Sequence, residues 1–166
     1  MTTEISIVKR NGRKENLDLE KLHKVVFYAC DGLTGVSASQ VELNSHISFQ
    51  DNISSKDIQE TMIKAAADLI SEDNPNYQFV AGRLITYHLR KEVYGQFDPP
   101  HLLDIVNKNV QNRMYDPLLL KMYSEEEWEQ MEKWIDHKRD EAYTYAAMEQ
   151  FRGKYLVQDR YNKTIC

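Results

Sequence analysis

Residues 4–32 read EISIVKRNGRKENLDLEKLHKVVFYACDG. In Glu4–Arg10, the apolar Ile5 and Ile7 alternate with polar neighbours, the period of a half-buried strand. Asn11-Gly12 follows, a dipeptide that tolerates the positive φ of a tight hairpin turn, and Lys14–Leu17 can return as a second strand. The period then changes. Asp18 is a good N-cap, and Leu19, Leu22, Val25, Val26 and Ala29 recur at helical spacing up to Asp31-Gly32, a sensible stop. A small hairpin therefore feeds directly into an amphipathic helix, with a dense set of charged side chains at the junction.

Working outward, Ser37 is placed to cap a helix carrying Val41, Leu43 and Ile47, while Ile47-Ser48-Phe49 alternates and is equally compatible with a short strand. Ser54-Ser55-Lys56-Asp57 resembles a capping box, with Asp where Glu is commoner. The helix it opens sets Ile58, Met62, Ala65, Ala66, Leu69 and Ile70 on one face and halts near Asp73-Asn74-Pro75. Tyr77–Tyr94 is the longest clean helix, stacking Val80, Leu84, Tyr87 and His88 before Gly95. Asp98-Pro99-Pro100 is the best boundary, dividing the chain into 1–97 and 98–166; beyond it, helices are predicted near 101–114, 117–122, 124–137 and 139–151. The fold class is mainly α with a small β element.

Composition narrows the functional classes. The 166 residues are 42% hydrophobic, enough for a core, and the net charge of −5 argues against a general nucleic-acid binder. Charge is unevenly placed: Lys9, Arg10, Arg13, Lys14, Lys21 and Lys24 crowd the N-terminus, whereas 125–141 is acidic. A basic cluster on an acidic chain suits a local anion site better than a polymer track. The two cysteines, Cys30 and Cys166, form no CxxC pair, which excludes a zinc ribbon and leaves no metal site to predict. MTTEISIVKR lacks the apolar run of a signal peptide and no stretch is long enough to span a membrane, so a cytoplasmic location without membrane association is expected.

Four sets of residues carry potential chemistry, and each has a plainer reading. Lys9-Arg10 beside the Asn-Gly turn is either an anion contact or a solvated basic turn. Glu15-Asn16-Leu17-Asp18 leads to Lys21, a cation in the first helical turn that opposes the macrodipole unless an anion sits nearby; Glu20 can supply that anion. Ser55 lies at a helix start with Gln59 one turn on, where free backbone N–H groups suit a phosphate, although most such serines are merely caps. His88 and Lys91 share a face at the far end of the long helix, where a cation also complements the C-terminus.

Their joint order is more specific than any one of them. VKRNGRKENLDLEKLHKV, ISSKDIQETMIKAAADLIS and YQFVAGRLITYHLRKEVYGQF closely resemble the N-terminus of class Ia ribonucleotide reductase large subunits. The likeness continues through HLLDIVNKNV, MYDPLLLKMYSEEEWEQM, IDHKRDEAYTYAAMEQ and GKYLVQDR, weakening only over Tyr161–Cys166. The resemblance implies that 1–97 is an ATP-cone, a four-helix bundle capped by a small three-stranded sheet, and that 98–166 is a helical segment leading toward a reductase barrel. It implies an overall-activity site that takes ATP as activator and dATP as inhibitor, Mg2+ accompanying the triphosphate. Lys9, Arg10 and Lys91 are then expected to bind phosphates, with Lys21 and Ser55 helping from helix N-termini. Glu15, Asn16, Leu17 and Asp18 are expected to line the adenine, and Gln59 and His88 to lie near the sugar. The implied partners are a radical-bearing small (beta) subunit and other large-subunit chains, or the remainder of the large subunit.

Two positions depart from the family pattern. Asp18 stands where a relative has Asn; a carboxylate only accepts, so base contacts that need a donor are lost. Gln59 replaces a His associated with dATP inhibition, which weakens the expected discrimination between ATP and dATP. The resemblance places the thiyl radical and reducing cysteine pair in a ten-stranded α/β barrel beyond the region present, so no catalytic residue is assigned and no reductase activity is expected from this chain alone. Cys30 is expected to be buried in the first helix. A truncation, a split gene or a frameshift would each end the chain this way, and the divergent RYNKTIC favours a natural alternative end. Two competitors are a nucleotide-responsive repressor, which would need the missing zinc ribbon, and a helical subunit-assembly module that has lost nucleotide sensing.

Overall fold

A computed structural model describes residues 5–46 and 51–157. The hairpin forms as β1 (Ser6–Val8) and β2 (Lys14–Asn16), antiparallel with Ile7 opposite Glu15. Its turn is longer than the Asn-Gly dipeptide suggests. The Lys9 N–H donates to Arg13 O, the Gly12 N–H donates to Lys9 O, and Gly12 alone takes positive φ (+80°), a three-residue loop with a left-handed glycine. This loop holds Arg10 and Asn11 out at the tip. β3 (Ile53–Ser54) adds parallel to the other side of β1, giving the order β2-β1-β3. It is aligned by the Asn52 N–H donating to Ser6 O and by Asp51 Oδ1 accepting from the Ser6 N–H. The strand considered for Ile47-Ser48-Phe49 lies outside the described residues.

α1 (Leu19–Cys30) is capped as its sequence demands: Asp18 accepts from the Lys21 N–H at 3.1 Å. α2 (Ala38–His46) buries Val41, but Leu43 faces solvent, correcting the expectation that both are on one face. Two residues along a helix turn by about 200°, so only one of the pair can point inward. α3 (Ser55–Ala67) is capped by Ser54, whose hydroxyl accepts from the Asp57 N–H and donates to the Asp57 carboxylate. Ser55 is therefore the first helical residue. α3 ends several residues before Asp73, because the Leu69 and Ile70 N–H groups tighten onto Ala66 O and Ala67 O; Leu69 still packs on the core while Ile70 turns outward.

α4 (Tyr77–Val93) is the central helix, with Tyr77, Val80, Ala81, Gly82, Leu84, Ile85 and His88 all buried. It packs against both α1 and α3. Each large side chain of this face contributes roughly 1.5–3 kcal/mol through burial. Beyond Pro100 lie α5 (Leu102–Gln111), α6 (Leu119–Met122), α7 (Glu125–Glu132), a 3-10 turn His137–Ala142, α8 (Tyr145–Gln150) and a π turn Phe151–Tyr155. The helix expected over 139–151 is split: Tyr143 and Thr144 are extended, and Thr144 caps α8. Gly82 is the reason. A side chain there would overlap the Tyr143 carbonyl, so the missing Cβ lets this segment lie directly on α4. Through this contact α8 returns to the bundle. Cys30, expected buried, is only half-buried.

Candidate nucleotide-binding cleft

The sheet and the adjoining ends of α1, α3 and α4 enclose a cleft of about 570 Å³. Its floor is apolar: Ile7 from β1, Leu22 and Val25 from α1, and Ile58 and Met62 from α3. Its rim is charged, with Lys9, Arg10, Arg13, Lys21 and Lys91 set against the two carboxylates Glu15 and Asp18. Five cations to two acids on a chain of net charge −5 concentrate positive potential at one place. Tyr87 closes one wall, and the Lys91 ammonium sits 5.8 Å from its ring centroid.

Of the residues singled out in sequence, Lys9, Arg10, Glu15, Leu17, Asp18, Lys21, Ser55, Gln59 and Lys91 line this cleft. His88 lies directly behind it, and Asn16 is on β2 without lining the cleft. Arg13, Tyr87 and the floor residues were not anticipated. The signal for Tyr87 was present, since it precedes Lys91 by one helical turn and so shares its face. Arg13 gave no such signal, because its direction depends on the three-residue turn.

The carboxylates are already engaged. Lys9 Nζ is 2.8 Å from Glu15 Oε1, and this contact holds the Glu15 carboxyl below its usual range. Asp18 is held low first by the Lys21 backbone N–H and then by its ammonium, 3.1 Å away, which in turn raises the Lys21 pKa. Arg10, Arg13 and Lys91 have no carboxylate partner among the described residues. A polyanion entering the cleft would meet three cations that no acid among the described residues holds and two that must first leave one.

His88 is 1% exposed and sits between opposite charges. Its Nδ1 lies 2.9 Å from Gln59 Oε1 and 3.4 Å from the Arg10 guanidinium. Its Nε2 is 3.4 Å from Glu60 and 3.5 Å from Glu92. Burial is the largest influence and lowers its pKa; Glu60 and Glu92 raise it, while Arg10 and Lys56 add to the lowering. Among the described residues no cluster of His, Cys, Asp and Glu could hold a metal ion, and no helix is long and apolar enough to cross a membrane.

Comparison with known proteins agrees with this geometry. The ATP cone domain family matches residues 5–92. The chain is 54% identical over 160 residues to ribonucleoside-diphosphate reductase 1 subunit alpha of Escherichia coli, covering 96% of this chain and 21% of that protein. It is 52% identical to the alpha subunit of Haemophilus influenzae, with the same coverage, and 39% identical over 156 residues to that of Enterobacteria phage T4. The chain thus spans about a fifth of the length of these relatives. With the cone's bundle, sheet and cleft in place, the chain belongs to the ATP-cone family and corresponds to the N-terminal region of ribonucleoside-diphosphate reductase alpha subunits.

Proposed function

We propose that the chain is the overall-activity module of a ribonucleoside-diphosphate reductase large subunit, binding ATP as activator and dATP as inhibitor in this cleft. One observation carries the reading: Lys9, Arg10, Lys21 and Lys91 come from the hairpin, α1 and α4 yet converge on one apolar-floored space. Such a space offers a base an apolar floor and a triphosphate its cations, with Mg2+ accompanying the phosphates. The Ser55 N–H, at the start of α3, is oriented as helix N-termini are for anions. Glu15 and Asp18, as acceptors, suit an exocyclic amine. The control this exerts would reach the small subunit and the rest of the large subunit, the partners proposed for the longer protein.

A second reading, an assembly module that no longer senses nucleotide, draws on the pairing of Lys9 with Glu15 and Lys21 with Asp18. Calorimetric titration of the chain with ATP and dATP separates the two. Saturable binding of both nucleotides at one site is expected, with Gln59 narrowing the difference in affinity between ATP and dATP. Absence of heat and of competition by either nucleotide would leave only the assembly reading.

A further inference from the structure

Gln59 and Glu60 are neighbours in α3, and both reach His88. Gln59 approaches Nδ1 from the cleft side and Glu60 approaches Nε2 from the other. The Glu60 carboxylate is in turn held by both prongs of the Arg152 guanidinium, at 2.7 and 3.2 Å. Arg152 lies in the π turn after α8, outside the matched residues 5–92, and also grips Glu149 at 2.6 and 3.0 Å. A staple for α8 needs only one acid; here Arg152 binds both Glu60 oxygens, and the nearer of them, Oε1, is also the one that faces His88.

Neutral His88 has one proton for two sides. With the proton on Nε2, it faces the Glu60 and Glu92 carboxylates; Nδ1 then accepts from Arg10, and the Gln59 amide must turn its NH2 toward the ring. With the proton on Nδ1, it donates to Gln59 Oε1, and the Nε2 lone pair is left against two carboxylates. The charged groups facing the ring are Arg10, Lys56, Glu60 and Glu92. Of these, Glu60 is the one anchored from outside the cone. A planar, two-pronged guanidinium holds the Glu60 carboxylate in place beside the ring. Which end of the Gln59 amide meets a bound ligand therefore depends on a residue in the C-terminal segment.

We propose that Arg152 is a positioning residue of the nucleotide cleft: its grip on Glu60 fixes the proton on His88 Nε2, and thereby the end of the Gln59 amide presented to the nucleotide. The inference rests on the reading of the cleft as a nucleotide site. By linkage, an occupied cleft alters the Arg152 grip as much as the grip alters binding, so the segment at Tyr145–Tyr155 would sense occupancy.

The test uses the full chain with Arg152→Ala, Arg152→Lys and Glu149→Gln, each alone and in a Gln59→Ala background. Nitrogen NMR of the His88 ring reports which nitrogen bears the proton, and calorimetry with ATP reports affinity. Both Arg152 variants are expected to redistribute the His88 proton and change ATP affinity by about three- to tenfold, an effect that vanishes without the Gln59 amide. Glu149→Gln, which loosens α8 but leaves the Glu60 contact, is expected to match wild type in both readouts. Arg152→Lys serves if Arg152→Ala does not fold. An unchanged ring spectrum, or an affinity change that persists undiminished with Gln59→Ala, would overturn the proposal. If wild type binds no nucleotide the functional reading fails and the positioning role with it, and the ring spectra of the ligand-free variants still report whether Arg152 governs His88.

Discussion

Lys9 and Lys91 line one cleft only because the hairpin turn and the end of the longest helix close over the same space. Lys9→Ala and Lys91→Ala are each expected to weaken ATP binding roughly ten- to hundredfold, the loss of a charge-assisted contact of about 1.5–3 kcal/mol. Lys24, which lies with His23, Phe27 and Asp31 away from the cleft, is the proper control, and Lys24→Ala should bind nearly as wild type. Arg13, in the same basic cluster, is not a control, because it lines the cleft. Equal losses from Lys9, Lys91 and Lys24 in a titration would indicate diffuse attraction rather than a site. His88 yields a second test. Its folded pKa lies below the ordinary 6.5, so the unfolded chain takes up a proton first as pH falls. Its burial as a neutral ring is thus favourable above about pH 6.5 and is lost as pH drops below that value, at no more than about 1.4 kcal/mol per pH unit for one proton. Melting curves of wild type should show this slope, and His88→Gln should flatten it; identical slopes would remove His88 from the account.

Among the elements, α4 does the most positioning. One of its faces fills the core, its last turn carries Lys91 to the cleft, and Gly82 receives the Tyr143–Thr144 segment on the opposite side. A glycine inside a helix costs about 1 kcal/mol relative to alanine, so its presence points to the close approach it permits. Gly82→Ala therefore should not stabilise α4. It is expected to destabilise the chain by roughly 1–3 kcal/mol, since a backbone carbonyl cannot swing aside as a side-chain end can. Urea unfolding monitored by Tyr and Trp fluorescence checks this, and a midpoint at or above wild type would contradict the packing described. The capping signals at Asp18 and Ser54 could be read directly because a cap is a local hydrogen bond, satisfied within three residues. The break at Tyr143 was invisible in sequence, because its cause lies 61 residues away in α4.

At the scale of the molecule, the core and the segment beyond Pro100 are unequal. The buried cluster draws Met148 from that segment, while Val106 and Trp128 are buried outside it. Trp134, Met122 and Leu118 remain exposed. Amides of α5 and α7 are therefore expected to exchange with solvent at least about tenfold faster than those of α3 and α4, measurable by hydrogen exchange; equal protection would mean a single cooperative unit. The chain's chemistry is limited in the same way. Cys30 is half-buried in α1, and burial pushes its thiol up to about 11, far from a reactive thiolate. No ribonucleoside diphosphate should turn over when this chain is combined with a small subunit and no other large-subunit piece. Turnover in that mixture would require a reducing centre among residues that offer only two cysteines.

What the sequence determined by itself is what short-range physics controls: the hairpin, the helix starts at Asp18 and Ser54, the stop at Gly95 and the basic cluster around Lys9. The order of its motifs also named the residues to watch, although it could not bring them together. Tertiary structure decided the rest. It paired β3 with β1 and turned Arg13 into the cleft and Leu43 out of the core. It tied Lys9 to Glu15, set His88 between Gln59 and Glu60, and brought Arg152 back to Glu60. Each of these depends on contacts between elements distant in the chain, where direction and burial, rather than residue type or spacing, fix which side chains meet.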